Sequence, residues 1–174
     1  MSEWGGLPDW VGQRSRAAGP PDREVRFEMA AKAIAASILR NRPIAEGGSG
    51  CPVVVEGIND EKALRALGFS GTIEKVNRGW DRARLVAYLH STHCFSRPPD
   101  GGPSLILLMD WDRTGGKLQT SLRDRLMALD APIDEGLRMI LLRAMKPEGR
   151  TVESLLPHSQ LLEPIIQGVL DEVG

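Results

Sequence analysis

The chain has 174 residues, 41% of them hydrophobic and 26% charged, and its formal net charge is -1. These values are typical of a globular protein with one domain and appendages, and they argue against a protein that coats polyanions with its whole surface. No apolar run approaches the length of a membrane span, and the amino terminus shows no basic segment followed by an apolar one. We therefore expect a cytoplasmic protein with no membrane partner.

The first fifty residues are predicted to form an arm, a helix and a joint. Met1–Pro21 is rich in Gly and Pro and carries isolated Trp4 and Trp10, which is typical of an arm. A helix follows from about Arg23 to Asn41, with an apolar stripe expected at Val25, Met29, Ala33, Ile34 and Leu39. The Gly-rich stretch 46–50 predicts a flexible joint, so this helix either packs on the core, which we favour, or reaches towards a partner.

The chain then alternates between strands and helices. The expected strands are 52–56, 71–76, 105–109 and 131–133. The first expected helix is capped by Asp60 and ended by Gly68, and the second spans 80–91. The third is opened by Gly115 and Gly116 and continues from Lys117 through Leu129, and the fourth spans 134–145. Closing helices are expected at 151–156 and 164–173. A strand that alternates with a helix predicts right-handed parallel crossovers. The fold class is therefore α/β, with a central parallel sheet of about four strands flanked by helices and with helical extensions at both ends.

Acidic residues follow two of these strands. Leu105 to Met109 is a short apolar run typical of a strand buried on both faces, and it leads into Asp110 and Asp112. Alternation along an extended backbone sends these two carboxylates to the same side while Trp111 turns away. Glu56 is the last residue of the expected strand 52–56, so it joins the pair if the two strands are adjacent and parallel. Three carboxylates at one edge favour Mg²⁺ or Mn²⁺ over zinc.

These motifs resemble a known family. Val-Glu-Gly-x-x-Asp at 55–60 followed by Asp-x-Asp-x-x-Gly at 110–115 is similar to the Toprim domain of topoisomerases, primases, overcoming-lysogenization-defect nucleases and ribosomal-RNA-maturing ribonucleases. The resemblance covers about residues 52–157, and its closest form is the small stand-alone Toprim proteins of archaea and bacteria. The expected divisions are an amino-terminal arm, helix and joint (1–50), a Toprim domain (51–157) and a carboxyl-terminal helical tail (158–174).

The resemblance implies magnesium-dependent phosphodiester chemistry on RNA or DNA, with Glu56, Asp110 and Asp112 as catalytic and metal-binding residues. It leaves Glu56 open between metal ligand and general acid or base. Tyr88 is the chain's single tyrosine and is expected in the core, so a topoisomerase nucleophile is not indicated. A nuclease is favoured. Primase-like nucleotidyl transfer and a non-catalytic, metal-dependent nucleic-acid-binding subunit are the alternatives.

Residues around the acids are weaker candidates for phosphate contact. They are Gly57, Asp60, Arg113, Gly115 and Lys117, with Lys62, Arg78, Arg82 and Arg84 as a possible nucleic-acid rim. For Asp60 we favour a helix-capping role. The cluster of His90, His93 and Cys94 lacks a fourth ligand for zinc, so we expect it to be only a helix end and loop. The two cysteines, Cys51 and Cys94, are expected as reduced thiols. The terminal helices offer a possible homo-oligomer interface.

Overall fold

A four-stranded, all-parallel sheet forms the centre of the protein. The computed structural model describes residues 20–173. The strands are β1 (Val53–Val55), β2 (Ile73–Lys75), β3 (Leu105–Leu107) and β4 (Ile133–Asp134), in the order β2-β1-β3-β4. Val53 of β1 pairs with Ile73 on one side and with Ile106 on the other. The prediction of an α/β fold on a parallel sheet is confirmed, and β1 and β3 are direct neighbours.

Six α-helices in the described part of the chain cover both faces of the sheet. They are α1 (Pro20–Asn41), α2 (Ile58–Leu67), α3 (Arg82–His93), α4 (Arg113–Met127), α5 (Gly136–Met145) and α6 (Ser159–Val173); two short 3-10 helices span Ile44–Glu46 and Glu153–His158. One face packs against α1, α2, α5 and α6, and the other against α3 and α4. Along β3, Ile106 faces the first layer and Leu105 and Leu107 the second. Both sides of the strand are therefore buried, as its continuous apolar sequence predicts.

Helix α1 packs on the core, through a face that agrees only in part with the predicted stripe. Val25 is 56% exposed and Met29 is 39% exposed. Ile34 of the predicted stripe is buried, and Ala33 and Leu39 are partly buried against the core. The other buried hydrophobic residues of the helix are Phe27, Ala30, Ala31, Ala35 and Ile38. The stripe prediction favoured large side chains, whereas alanines allow α1 to approach α5 and α6 closely. The predicted arm lies mostly in residues 1–19, outside the described residues, and the helix begins at Pro20.

The predicted flexible joint at residues 46–50 is a hydrogen-bonded turn. The Gly48 N–H donates to the Pro43 carbonyl, and the Gly50 N–H donates to the Arg42 carbonyl. A Cβ on Gly48 would stand 2.1 Å from the Arg42 carbonyl oxygen, so the backbones approach too closely for any other residue. The glycines here serve a tight turn between α1 and β1 rather than a loose connection.

Several helix boundaries also differ from the predictions. Helix α4 begins at Arg113, two residues before the predicted opening at Gly115 and Gly116, because Asp112 caps it. Helix α6 begins at Ser159 and accommodates Pro164 in its second turn. The stretch 151–156, expected as a helix, is largely a 3-10 turn. None of the helices in residues 20–173 has the length and apolar character needed to cross a membrane.

Candidate functional site

Glu56 and Asp110 lie at the carboxyl ends of β1 and β3, and a hydrogen bond joins them. The Asp110 backbone N–H donates to Glu56 Oε2 at 3.0 Å. The two residues are 54 positions apart in the chain. Their strands are adjacent and parallel, so the carboxyl ends of both strands lie at the same edge of the sheet. The predicted convergence of Glu56 with the Asp110–Asp112 segment is present in the structure. We refer to Glu56, Asp110 and Asp112 as the acidic centre.

The segment from Met109 to Trp111 is held by groups from the loop that follows α5. Asp110 Oδ1 accepts a hydrogen bond from the Val152 N–H at 2.8 Å. Trp111 is buried and donates through Nε1 to the Gly149 carbonyl at 2.8 Å. The backbone N–H of Trp111 donates to the Arg150 carbonyl. Asp110 and Trp111 therefore both contact this loop, Asp110 at Val152 and Trp111 at Gly149. These tertiary hydrogen bonds hold the segment because β3 itself ends at Leu107, before the strand alternation that was predicted to set the two directions.

Asp112 caps α4. Its Oδ1 accepts a hydrogen bond from the Gly115 N–H at 2.7 Å. A Cβ on Gly115 would stand 2.1 Å from the Asp110 carbonyl oxygen. Gly115 is thus required by the close approach of α4 to the strand end. Its N–H already has an acceptor, which leaves it unavailable for the predicted phosphate contact in this conformation.

Asp60 and Gly57 form a similar arrangement at the start of α2. Asp60 is 7% exposed, and its Oδ2 accepts a hydrogen bond from the Gly57 N–H at 3.0 Å. The helix begins at Ile58, so Asp60 is its third residue and bonds back to the residue before the helix. The favoured capping role is supported, with the cap position one turn earlier than predicted. The Gly57 amide is likewise engaged.

Burial and mutual repulsion destabilise negative charge at the acidic centre. Burial is the main cause that raises the pKa of Asp110 to about 7, and the charges of Glu56, Asp60 and Asp112 add to it. Burial also raises the pKa of Glu56, despite the hydrogen bond from Asp110. A carboxyl group whose pKa is raised towards 7 is expected where the site binds a cation or transfers a proton.

Arg138 is the cation that faces this centre. It donates through Nη2 to the Asp110 carbonyl at 2.9 Å and through Nε to the Met109 carbonyl at 3.1 Å. Burial lowers the pKa of Arg138, while the carboxylates of Glu135, Asp112, Asp110 and Glu56 oppose that change. Arg138 therefore fixes the backbone that carries Asp110 and offsets part of the negative charge.

The donor set of the acidic centre suits a hard dication. Each hydrogen bond from the backbone engages one oxygen of its carboxylate, so the second oxygen of each can turn to an ion or its waters. Within residues 20–173, no three Asp, Glu, His or Cys side chains already stand in a geometry that could hold a metal. Magnesium needs fewer than three protein ligands, because it usually keeps several waters and binds through one or two carboxylates. The residues therefore fit a partly hydrated Mg²⁺ or Mn²⁺.

The other predicted residues lie around the centre or away from it. Arg113 and Lys117 are exposed on the first turns of α4, and Lys62 is exposed on α2. Tyr88 is half-buried rather than fully in the core, and its hydroxyl donates to Glu74 Oε2 at 2.8 Å. His93 contacts the same carboxylate oxygen. The histidine cluster thus has a structural partner, Glu74, which the sequence did not indicate.

Arg138 and Gln119 are the residues of the site that sequence reasoning missed. Gln119 is 1% exposed, receives the Met109 N–H through Oε1 at 3.2 Å, and donates to Glu135 Oε2 at 2.9 Å. A signal for Gln119 exists in the sequence, because it lies three residues before Leu122 on the buried face of α4. No comparable signal marks Arg138, whose position in an amphipathic helix is typical of a surface arginine.

Comparisons with known proteins add little to this picture. The chain matches no protein-family model and no curated protein. A solved structure of a protein from Aquifex aeolicus is similar to it with a TM-score of 0.46 and 24% sequence identity, over 59% of this chain and 82% of that one. That likeness is too distant to bear on function.

Proposed function

We propose that this chain is a small stand-alone Toprim protein that carries out magnesium- or manganese-dependent phosphodiester chemistry on nucleic acid, as a nuclease. The observation that carries the proposal is the hydrogen bond from the Asp110 N–H to the Glu56 carboxylate. It joins the acid after β1 to the backbone of the first of the two acids after β3. In an open parallel sheet, ligands bind beyond the carboxyl ends of the strands, and this edge is where the acidic centre lies.

The electrostatics support a metal-dependent site. Burial raises the pKa values of Asp110 and Glu56, so ionising the acidic centre costs free energy that a dication would recover. Glu56, Asp110 and Asp112 would hold the ion together with water. A divalent ion bound there supplies charge neutralisation for phosphate oxygens and acidifies a bound water.

The chain's own groups have separate tasks in this scheme. Glu56 accepts the Asp110 N–H through one oxygen, which leaves its other oxygen either to complete the shell of the ion or to take or give a proton at the scissile phosphodiester. Asp112 is held by the α4 cap, so its carboxylate keeps one orientation. Arg138 holds the Asp110 carbonyl and so keeps the loop from shifting when substrate binds.

The test is metal-dependent cleavage by purified protein. With Mg²⁺ or Mn²⁺, we expect the wild type to cut some structured RNA or single-stranded DNA. We expect Asp110→Asn, Asp112→Asn and Glu56→Gln each to lower the rate by about a hundredfold or more. Asp171→Asn, on the exposed face of α6, is the matched control and should cut normally. Cleavage that survives both Asp110→Asn and Asp112→Asn would refute the proposal.

The same reactions separate the two alternatives. Incorporation of labelled triphosphates on a template would indicate nucleotidyl transfer. Metal-dependent binding with no product of either kind would indicate a non-catalytic subunit. A thermal shift supplies an independent readout, because Mg²⁺ that binds only the folded protein should raise the melting temperature of the wild type and not of Asp110→Asn.

A homo-oligomer through the terminal helices remains part of the proposal. Helices α1 and α6 leave between them an apolar groove of about 710 Å³, lined in part by Val25, Phe27, Leu161 and Ile165. None of its lining residues belongs to the acidic centre, so the groove is not part of the proposed site. Sedimentation of the full chain would decide whether a second copy binds there.

A further inference from the structure

The loop between β2 and α3 adjoins the acidic centre. The Asn77 backbone N–H donates to the Glu56 carbonyl at 2.9 Å. A Cβ built on Gly57 would lie 3.7 Å from Asn77 Nδ2. This loop therefore borders the acidic centre on the β2 side, so a nucleic acid bound at Glu56 and extending in that direction would contact it.

This loop and the first turn of α3 carry one aromatic and three basic side chains, Trp80, Arg78, Arg82 and Arg84, which we call the arginine ledge. Two of them, Arg78 and Arg84, lie over the Trp80 ring. The guanidinium carbon of Arg84 lies 4.2 Å from the centroid of the Trp80 ring, and that of Arg78 lies 5.0 Å from it. Trp80 in turn makes an edge-to-face contact with Tyr88, with centroids 5.3 Å apart. The ring is therefore held from below, and Arg84 is held over it.

Charge compensation differs along the ledge. Arg78 pairs with the Glu74 carboxylate at 2.8 Å. Arg82 donates instead to the neutral Ser121 hydroxyl on α4 at 2.6 Å. In residues 20–173 no carboxylate forms an ion pair with Arg82 or Arg84, so both carry positive charge without a partner in this part of the chain.

The chemistry of this arrangement selects a ligand. A guanidinium stacked on an aromatic ring keeps its N–H edge free for a phosphate, which it can grip with two hydrogen bonds. The outer plane of Arg84 is a flat surface on which an unstacked base can lie. In a duplex the base faces are already covered by their neighbours, so this surface is useful only to a single strand.

We propose that the arginine ledge binds a single-stranded segment of nucleic acid, with one backbone phosphate on Arg82, another on Arg84, and a base stacked over the Arg84–Trp80 pair. The proposal rests on the proposed function and specifies its substrate as single-stranded near the acidic centre. The ledge supplies attraction that needs no metal, whereas the acidic centre without metal repels phosphate.

The test measures binding without turnover. Fluorescence anisotropy with a labelled single-stranded 20-mer and a hairpin duplex of the same composition is recorded in EDTA at fixed low salt. We expect wild type to prefer the single strand and Arg84→Ala to weaken that binding about tenfold, with a smaller effect on the hairpin. Arg84→Lys keeps the charge but not the flat guanidinium, so it should recover only part of the loss.

Arg125→Ala is the matched control, because Arg125 is an exposed arginine at the other end of α4, and it should bind like wild type. Arg84 is itself exposed, so its variants should keep the wild-type melting temperature. The proposal is overturned if wild type binds no oligonucleotide in EDTA, if Arg84→Ala and Arg125→Ala bind alike, or if Arg84→Ala weakens the hairpin as much as the single strand.

These outcomes are distinct from failure of the proposed function. Ledge-dependent binding by a protein that never cuts would leave the ledge intact and refute the nuclease. Cleavage that depends on Asp110 but not on Arg84, with unchanged binding by Arg84→Ala, would do the reverse.

Discussion

At the two edges of the parallel sheet, the surroundings shift carboxyl pKa values in opposite directions. At the amino ends of β1 and β3, Arg40 binds the Asp100 carboxylate at 2.6 Å and the Pro103 carbonyl at 2.8 Å. The hydrogen bond with Arg40 lowers the pKa of Asp100, and the same bond raises the pKa of Arg40. At the carboxyl ends, burial and neighbouring carboxylates raise the pKa of Asp110 to about 7.

This difference separates charges that stabilise the fold from charges that destabilise it. At the amino edge each ionised group stabilises its partner, so the charged forms contribute to folding. At the carboxyl edge three acids share one region with Arg138, whose guanidinium is occupied with backbone carbonyls. Such an arrangement lowers the free energy of unfolding of the metal-free protein. That loss of stability is explained if a cation and a polyanion bind there.

The largest expected effect comes from filling the close contact that brings the acids together. In Gly115→Ala the new Cβ would meet the Asp110 carbonyl oxygen at 2.1 Å, so we expect the free energy of unfolding to fall by about 3 kcal/mol. Urea titration measures it. Gly116→Ala is the matched control, because its Cβ would contact only Arg138 Nη2 at an ordinary 3.6 Å; it should gain about 0.5 kcal/mol. Equal effects of the two variants would contradict the proposed role of Gly115.

At the amino edge, removal of the Arg40 side chain should have the next largest effect on the free energy of unfolding. Arg40→Ala leaves the Pro103 carbonyl and Asp100 without their donor, and we expect a loss of about 2 kcal/mol at pH 7. Because the pKa of Asp100 is lowered in the folded protein, its contribution is present above pH 4 and is lost as the pH falls below that value. The difference between wild type and Arg40→Ala should therefore shrink at pH 3.

Lys32→Ala is the control for this prediction. Lys32 lies on the same helix and pairs with Glu28 at 3.2 Å on the exposed side. An exposed pair at this spacing contributes about 0.3 to 0.5 kcal/mol. If Lys32→Ala destabilises the protein as much as Arg40→Ala, the amino edge has no special role.

Neutralising the carboxyl edge should have a smaller effect, of opposite sign. The pKa of Asp110 rises from an ordinary 3.8 to about 7 on folding, so its protonated form favours the folded state at low pH. That contribution is complete below pH 4 and is lost as the pH rises through 7. In metal-free buffer we expect Asp110→Asn to match wild type at pH 4 and to be more stable by about 1 to 2 kcal/mol at pH 8.

Thermal melts in EDTA across this pH range measure the difference, with Asp171→Asn as the control. Added Mg²⁺ should reduce the advantage of Asp110→Asn, since the ion stabilises only the wild type. An advantage of Asp110→Asn that is the same at pH 4 and pH 8 would show that the carboxyl edge carries no strain from charge.

The sequence predicted the elements that local pattern controls. The continuous apolar run at 105–109 indicated a doubly buried strand, and Gly68 marked the end of α2 because its φ of 117° favours glycine. Pattern failed where packing decided the outcome. Val25 and Met29 looked like core residues, but the helix instead turned its alanines inward. The glycines at 47–50 looked flexible, but hydrogen bonds to the end of α1 close them into a turn.

For the site, the residue types and their order along the chain were enough to nominate Glu56, Asp110 and Asp112. The sequence also carried Gln119 as a polar residue on an apolar face, which a closer reading of α4 would have found. Arg138 and the Val152 amide could not be found this way. Arg138 binds backbone carbonyls, and Val152 contributes its backbone N–H. Every residue has such backbone groups, so these contacts cannot be predicted from residue types.

The amino-acid sequence by itself determined an α/β chain with two strand ends that finish in acids, because periodicity and strand length are local properties. Only the tertiary structure decided that β1 and β3 are neighbours and that Glu56 receives the Asp110 N–H. It also decided that the pKa of Asp110 lies near neutrality. The reason is physical: desolvation and repulsion between carboxylates depend on distances across the fold, and residues 54 positions apart acquire such a distance only when the sheet assembles.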